Sequence, residues 1–189
     1  MPKGPPHSTV LMDGPSIHRA ISRIARQIAK GQHHPGDLVL VGIQTGGVRL
    51  ANHLAGRIRD LLGHEIPVGE LDVTMHRDDL DQRLAPPVHA TKIPVDITGK
   101  TVLLVDDVLF SGRTTRAALD ALNDFGRPRR TQLAVLIDRG HRELPIMADF
   151  VGKSVTTAQD DRVEVEASES DGWARVTLHT AQHSSGSNP

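Results

Sequence analysis

Thr101-Val-Leu-Leu-Val-Asp-Asp-Val-Leu-Phe-Ser-Gly-Arg-Thr-Thr-Arg-Ala-Ala-Leu119 decides the fold. Val102 to Val105 are Val or Leu without alternation, the pattern of a strand covered on both faces of a mainly parallel sheet. Asp106 and Asp107 follow directly, so the strand carries both carboxylates to its C-terminal edge, where ligands of open α/β sheets bind. Ser111-Gly-Arg-Thr-Thr115 then opens a helix that continues through Ala117, Ala118, Leu119 and Leu122. The free N–H groups and positive dipole end of that helix face the same edge and suit a phosphate.

The chemistry is narrower than a generic phosphate site. Paired acids suit sugar hydroxyls or a metal held near a sugar, while Ser111, Thr114, Thr115 and the intervening amides suit a terminal phosphate monoester. Together they describe a phosphorylated ribose. The chain has neither the Gly-x-x-x-x-Gly-Lys-Ser/Thr run of a triphosphate loop nor the Gly-x-Gly-x-x-Gly of a dinucleotide fold. A strand, turn and helix with incidental acids is the competing reading. Against it, the run from Val102 to Thr114 resembles the phosphoribosyl-pyrophosphate (PRPP) signature of type I phosphoribosyltransferases.

At 189 residues the chain is long enough for one domain with a full core. It has no cysteine, which excludes disulfide and thiolate chemistry. No signal peptide or long apolar run stands at the N-terminus, so a cytoplasmic protein with no membrane partner is expected. A formal net charge of −1 gives no global sign of a nucleic-acid binder, so such a role must rest on local clustering.

One segment has that clustering. Asp13 reads as an N-cap, and from Ser16 to Lys30 the apolar Ile17, Ala20, Ile21, Ile24, Ala25 and Ile28 repeat at helical spacing. Arg19, Arg23, Arg26 and Lys30 form a second stripe about 200° around the helix. No acid lies between Ser16 and Lys30 to neutralise it. On this segment alone a solvated face is the simpler reading and an RNA surface the sharper one.

Residues 1–8 and 183–189 are expected to be disordered around a single domain spanning 9–182, with a first short strand from Thr9 to Met12. Leu38 to Ile43 predicts a second buried strand, followed by Gln44-Thr45-Gly46-Gly47 and a helix from Val48 to Leu62. That glycine turn lets amides approach an anion and makes a second phosphate cradle. Val68 to Thr74 predicts a third strand. Asp81 to Lys92, with Pro86-Pro87, is too long for a tight turn and reads as a lid or as a plain connection. Gln132 to Ile137 predicts another buried strand, and Asp149 to Gly152, Val163 to Ala167 and Arg175 to Thr180 three short ones.

Beyond the PRPP motif, Asp138-Arg-Gly-His-Arg-Glu-Leu-Pro145, Arg77-Asp-Asp-Leu80, Val68-Gly-Glu-Leu-Asp72 and Ile93-Pro-Val-Asp96 resemble the PyrR family. Members of that family are bifunctional pyrimidine operon regulators and uracil phosphoribosyltransferases. The resemblance runs from about residue 10 to residue 168. It implies an α/β type I phosphoribosyltransferase fold, with a mainly parallel sheet flanked by helices, a small hood and a flexible lid. It also implies a homodimer or higher homo-oligomer, conversion of uracil and PRPP to UMP and pyrophosphate, and uridine-nucleotide-dependent binding to the leader of pyrimidine-biosynthesis (pyr) mRNA, with UMP or UTP as effector.

On that resemblance Asp106 and Asp107 hold the ribose hydroxyls and favour the cationic sugar. Val108, Leu109, Phe110, Ser111, Gly112, Arg113, Thr114 and Thr115 form the loop for the 5-phosphate. Thr45, Gly46 and Gly47 take pyrophosphate with Mg²⁺ bridging its oxygens, and Arg77 rides on the lid. Ile137, Asp138 and Arg139 border the base, and no committed general base is evident. Ser22, Arg23, Arg26, His141, Arg142 and Lys153 fall on the expected RNA surface.

Three positions depart from the family pattern. Gln44-Thr45-Gly46-Gly47 stands where the family has a basic residue and then Thr-Arg-Gly, which implies weaker catalysis. Met147 replaces an Arg, and Phe110-Ser111 replaces Tyr-Thr. Two readings of other classes therefore stay open: a UMP- and PRPP-sensing RNA-binding regulator with little turnover, and a phosphoribosyltransferase for another base with no RNA role.

Overall fold

The structure is a computed structural model and describes residues 8–31, 35–74, 89–168 and 172–181. Five parallel strands form its centre in the order β3-β2-β4-β5-β6. These are β2 (Leu38–Ile43), β3 (Val68–Leu71), β4 (Thr101–Leu109), β5 (Arg130–Asp138) and β6 (Phe150–Ser154). Side chains of successive strand residues point to opposite faces. Leu38, Leu40, Leu103, Val105, Ala134 and Leu136 therefore enter one core, and Val39, Val41, Val102, Leu104, Leu133 and Val135 the other. The absence of alternation in these strands is the signature of that double burial.

Helices α1 (Gly14–Lys30) and α2 (Gly46–Leu62) cover the first face, and α3 (Arg113–Leu122) covers the second. Asp13 caps α1 as expected, its carboxylate accepting from Ser16 N at 2.9 Å. The apolar stripe of α1 is buried, while the basic stripe of Arg19, Arg23, Arg26 and Lys30 stays outside the core.

The expected hood is a separate three-stranded antiparallel sheet in the order β1-β8-β7, built from β1 (Ser8–Asp13), β7 (Arg162–Glu166) and β8 (Arg175–His179). Ser8, expected from the sequence in a disordered N-terminus, pairs with His179 in this sheet. Residues 1–7 and 183–189 lie outside the described residues.

Two strand boundaries differ from expectation. Strand β3 stops at Leu71 instead of Thr74, because the Asp72 carboxylate accepts from Thr74 N at 2.7 Å and folds the chain into a side-chain turn. Strand β4 runs on through Asp106 and Asp107 to Leu109, because β5 keeps pairing with it as far as Asp138. The two acids are thus inside the ladder near its end and not beyond it. The last residues of the expected lid are also anchored. Lys92 N donates to Glu70 O and Glu70 N to Lys92 O, both at 2.8 Å. Arg77 and the rest of that segment lie outside the described residues.

Candidate active site and basic groove

Parallel neighbours β2 and β4 each run into a helix whose N-terminus has no side-chain cap and no acid in its first turn. At α2 the N-cap is Thr45, reached through a cis peptide from Gln44. At α3 it is Gly112, at φ +92°. Both first turns leave backbone donors and a positive dipole end for an anion. Gly46 and Gly47 are glycine for lack of room. A Cβ on Gly46 would fall on the Asp107 carboxylate, and one on Gly47 on the Val105 carbonyl oxygen.

Between the two helix ends sit the acids. Asp106 Oδ1 accepts from Asp107 N at 2.9 Å, and Asp107 Oδ1 accepts from Val108 N at 2.8 Å. Each of these bonds uses only one oxygen of its carboxylate and fixes the side chain's direction. Asp106, Val108, Leu109, Phe110, Ser111, Gly112, Arg113, Thr114 and Thr115 line a single cleft of about 340 Å³, joined there by Glu143. Glu143 is absent from the site expected on sequence. Its carboxylate accepts from Arg113 Nε at 2.7 Å, pairing a loop cation whose partner lies thirty positions along the chain.

Strand β5 delivers Ile137, Asp138 and Arg139 beside β4, with Val108 opposite Ile137 and Leu109 opposite Asp138. Ile137 is fully buried. The Arg139 guanidinium lies 4.1 Å from the centroid of the Phe110 ring and donates to Thr157 Oγ1, Ala158 O and Gln159 O at 2.8–3.2 Å. Burial draws its pKa down, with Asp161 opposing. The side chain is therefore a brace under Phe110. His141, at φ +60°, sets its ring edge-on to Phe110 at 6.1 Å, with Nε2 2.7 Å from Thr157 O.

The six expected RNA-contact residues separate into two groups. Ser22, Arg23, Arg26 and Lys153 line one groove of about 620 Å³ together with Met12, Ser16, His18, Arg19, Ala20 and Gly152. Arg23 donates to Val151 O and Gly152 O, and Lys153 Nζ to Leu11 O at 2.8 Å. Arg57 of α2 extends the basic strip past Ser22 and Arg26. Sequence reading misses Arg57 because it lies on another helix, although its exposed position on α2 is legible. His141 and Arg142 line no part of this groove and stand against the cleft.

Residues 7–170 match the phosphoribosyl transferase domain family. The chain is 57% identical over 169 residues to the bifunctional protein PyrR of Chloroflexus aurantiacus, covering 89% of this chain and 93% of that protein. It is 51% identical over 173 residues to that of Bacillus cereus, covering 90% and 96%. The chain belongs to the PyrR family. PyrR proteins are thus its relatives in sequence, and the phosphoribosyltransferase class expected from the PRPP motif stands.

Among solved structures, a hypoxanthine-guanine phosphoribosyltransferase from Bacillus anthracis superposes with a TM-score of 0.66 at 16% identity, over 94% of this chain and 100% of that one. A hypoxanthine phosphoribosyltransferase from Staphylococcus aureus gives 0.62 at 22% identity, over 78% and 77%. These two likenesses concern the fold alone, and the fold is the type I phosphoribosyltransferase fold expected of a PyrR protein. Among the described residues no helix is long and apolar enough to cross a membrane.

Proposed function

We propose that this PyrR protein joins uracil to PRPP, giving UMP and pyrophosphate, and binds the leader of pyrimidine-operon mRNA under the control of uridine nucleotide. The observation that carries the enzymatic half is the pair of uncapped helix N-termini at the ends of adjacent strands, with Asp106 and Asp107 between them. The α3 end takes the 5-phosphate on the Ser111–Thr115 amides and hydroxyls. The α2 end takes pyrophosphate at Thr45–Gly47. The ribose hydroxyls donate to the carboxylates between them.

In the reaction uracil N1 bonds to the anomeric carbon as the bond from that carbon to the pyrophosphate oxygen breaks, and the N1 proton is released. Positive charge grows on the ribose and negative charge on the leaving group. The two carboxylates and the two helix ends are placed to stabilise both. Ile137, Asp138 and Arg139 border the base.

Among the described residues no three acids or histidines gather to hold a metal unaided. Mg²⁺ carried by a diphosphate asks for only one or two carboxylates, which Asp106 and Asp107 fit. Bound there it would neutralise the leaving group's charge.

The RNA half rests on the groove between α1 and β6. Arg19, Arg23, Arg26 and Lys153 gather there without an acid on α1, giving cations for phosphates beside the hydroxyls of Ser16 and Ser22 for exposed bases, and Arg57 adds a further cation in the adjoining hollow that it lines with Ser22, Arg26 and Asp60. Lys153 is the register partner of Ile137 across β5 and β6, so the groove and the base-bordering segment share one ladder. With this reading go self-association, a cytoplasmic site of action, and PRPP and UMP or UTP as competing effectors.

The test is binding to a pyrimidine-operon leader RNA with UMP, with PRPP and with neither, alongside UMP formation from uracil and, as control, nucleotide formation from hypoxanthine. UMP-tightened RNA binding with uracil turnover is expected. Product with no RNA binding under any condition leaves an enzyme alone, and RNA binding without product leaves a sensor.

A further inference from the structure

We propose that Glu70 is a positioning residue for the pyrophosphate turn, acting through Gln44; this rests on the reading of Thr45–Gly47 as the place where pyrophosphate binds. Gln44 Nε2 donates to Glu70 Oε2 at 3.0 Å, and Gln44 N donates to Leu71 O at 2.9 Å. The end of β3 therefore holds the residue before the turn by its side chain and by its backbone. A carboxylate only accepts, so Glu70 also fixes which way the Gln44 amide faces.

The carboxylate reaches Gln44 because the fold aims it there. Val68 packs with the core under α1 and α2, while Leu71 is buried in the core under α3. Side chains alternate along a strand, so Glu70, two residues after Val68, is on the side of α2. Its backbone is held as well. Glu70 pairs in register with Gly42 of β2, and both its N–H and its carbonyl are bonded to Lys92 at 2.8 Å.

The turn has close contacts on its other sides. A Cβ on Gly42 would fall on Val48 Cα and Gly47 O, so the first turn of α2 lies directly on β2, and Gly46 lies against Asp107. The bond from Gln44 to Glu70 completes this hold at the leading end of the turn. With glycine at position 46 in place of the family's cation, pyrophosphate binding depends on the directions of the turn's amides and on the α2 dipole. UMP has the 5-phosphate, ribose and base but no pyrophosphate, and so does not draw on this turn. Glu70 thereby weights two ligands of one cleft, favouring PRPP over UMP.

The experiment uses Glu70→Ala and Glu70→Gln, with Gln44→Ala removing the same bond from its other end, and follows the reaction in both directions. In Glu70→Ala the KM for PRPP in UMP synthesis, and the KM for pyrophosphate in its reverse reaction with UMP, are expected to rise about tenfold, the scale of one lost hydrogen bond to a charged group. The KM for UMP in that reverse reaction should equal the parent's, and so should the UMP concentration that gives half-maximal leader-RNA binding. Gln44→Ala should match Glu70→Ala. Glu70→Gln, whose amide oxygen still accepts from Gln44, should recover most of the loss. A general loosening of β3 raises the KM for UMP along with that for pyrophosphate, and that outcome overturns the proposal. An unchanged KM for pyrophosphate in a Glu70→Ala protein shown by thermal unfolding to be folded also overturns it. Should Glu70→Ala fail to fold, Gln44→Ala decides on the same constants. A parent protein that turns over in neither direction overturns the pyrophosphate reading itself, and the proposal with it.

Discussion

The Asp107 carboxylate fills the space that a side chain on Gly46 would need. The two residues come from different strand ends, β2 and β4, and their approach closes the gap between the pyrophosphate turn and the ribose acids. A backbone pressed against a carboxylate can adapt only by moving one of them. Gly46→Ala should therefore turn Asp107 out of its place and lower kcat/KM for PRPP by about tenfold to a hundredfold, the scale for an active-site group misplaced by about 1 Å. Gly46→Arg, which brings the cation expected of the family, should fare no better, because its Cβ meets the same carboxylate. Initial rates over a range of PRPP concentrations check this, and a more active Gly46→Arg protein would refute it.

That close approach also marks where local sequence stops being informative. The buried strands, the capped amphipathic helix α1 and the strand, turn and helix of the PRPP loop are all legible, because each is written in neighbouring residues as a period or a cap. Gly46 reads locally as a departure that costs a cation; its reason lies far along the chain in Asp107. Arg142 is placed on the RNA surface by the family resemblance alone, and its bonds to Phe110 and Asp138 are invisible in sequence because those residues meet it only through the fold. A reading of β4 alone puts Asp106 and Asp107 at its C-terminal edge, because the apolar run stops before them. Pairing with β5 carries the strand on to Leu109. Grouping His141 and Arg142 with Arg23 and Lys153 requires the family pattern; in this fold His141 and Arg142 contact Phe110 and do not line the groove of Arg23 and Lys153.

The histidine between α1 and α2 gives the fold an acid-side sensitivity. His53 packs its ring 5.6 Å from that of the buried Trp173 and 6.3 Å from His18. Burial lowers its pKa, with His18, Arg49 and Arg57 adding like charge. Above the unfolded imidazole value of about 6.5 both states hold a neutral ring, and this group's contribution is complete. As pH falls below that value the unfolded chain takes up the proton first, so stability is lost until pH passes the lower folded pKa. Denaturant unfolding from slightly alkaline pH, in successive steps down past that imidazole value, should show this loss, and His53→Gln should flatten its own share of it. An identical pH dependence in the two proteins would refute the assignment.

Arg57 separates an RNA groove from a merely solvated helix face. It projects from α2 beside Ser22 and Arg26 of α1, far along the chain from the other basic residues of the strip. It lines no part of the cleft. Arg23 is the poorer probe, because it also holds the Val151 and Gly152 carbonyls of β6, and its removal disturbs the sheet edge. Each cation withdrawn from a phosphate should reduce the slope of log affinity against log salt by about 0.7–0.9. Arg57→Ala and Arg26→Ala should each weaken leader-RNA binding across sequences and flatten that slope by about one phosphate's share, with the rate of UMP formation unchanged. Titration of the leader RNA at salt concentrations from about 50 to about 200 mM reads the effect directly. If neither variant changes the slope, the cations of α1 and α2 are only a solvated surface and the RNA must be held elsewhere.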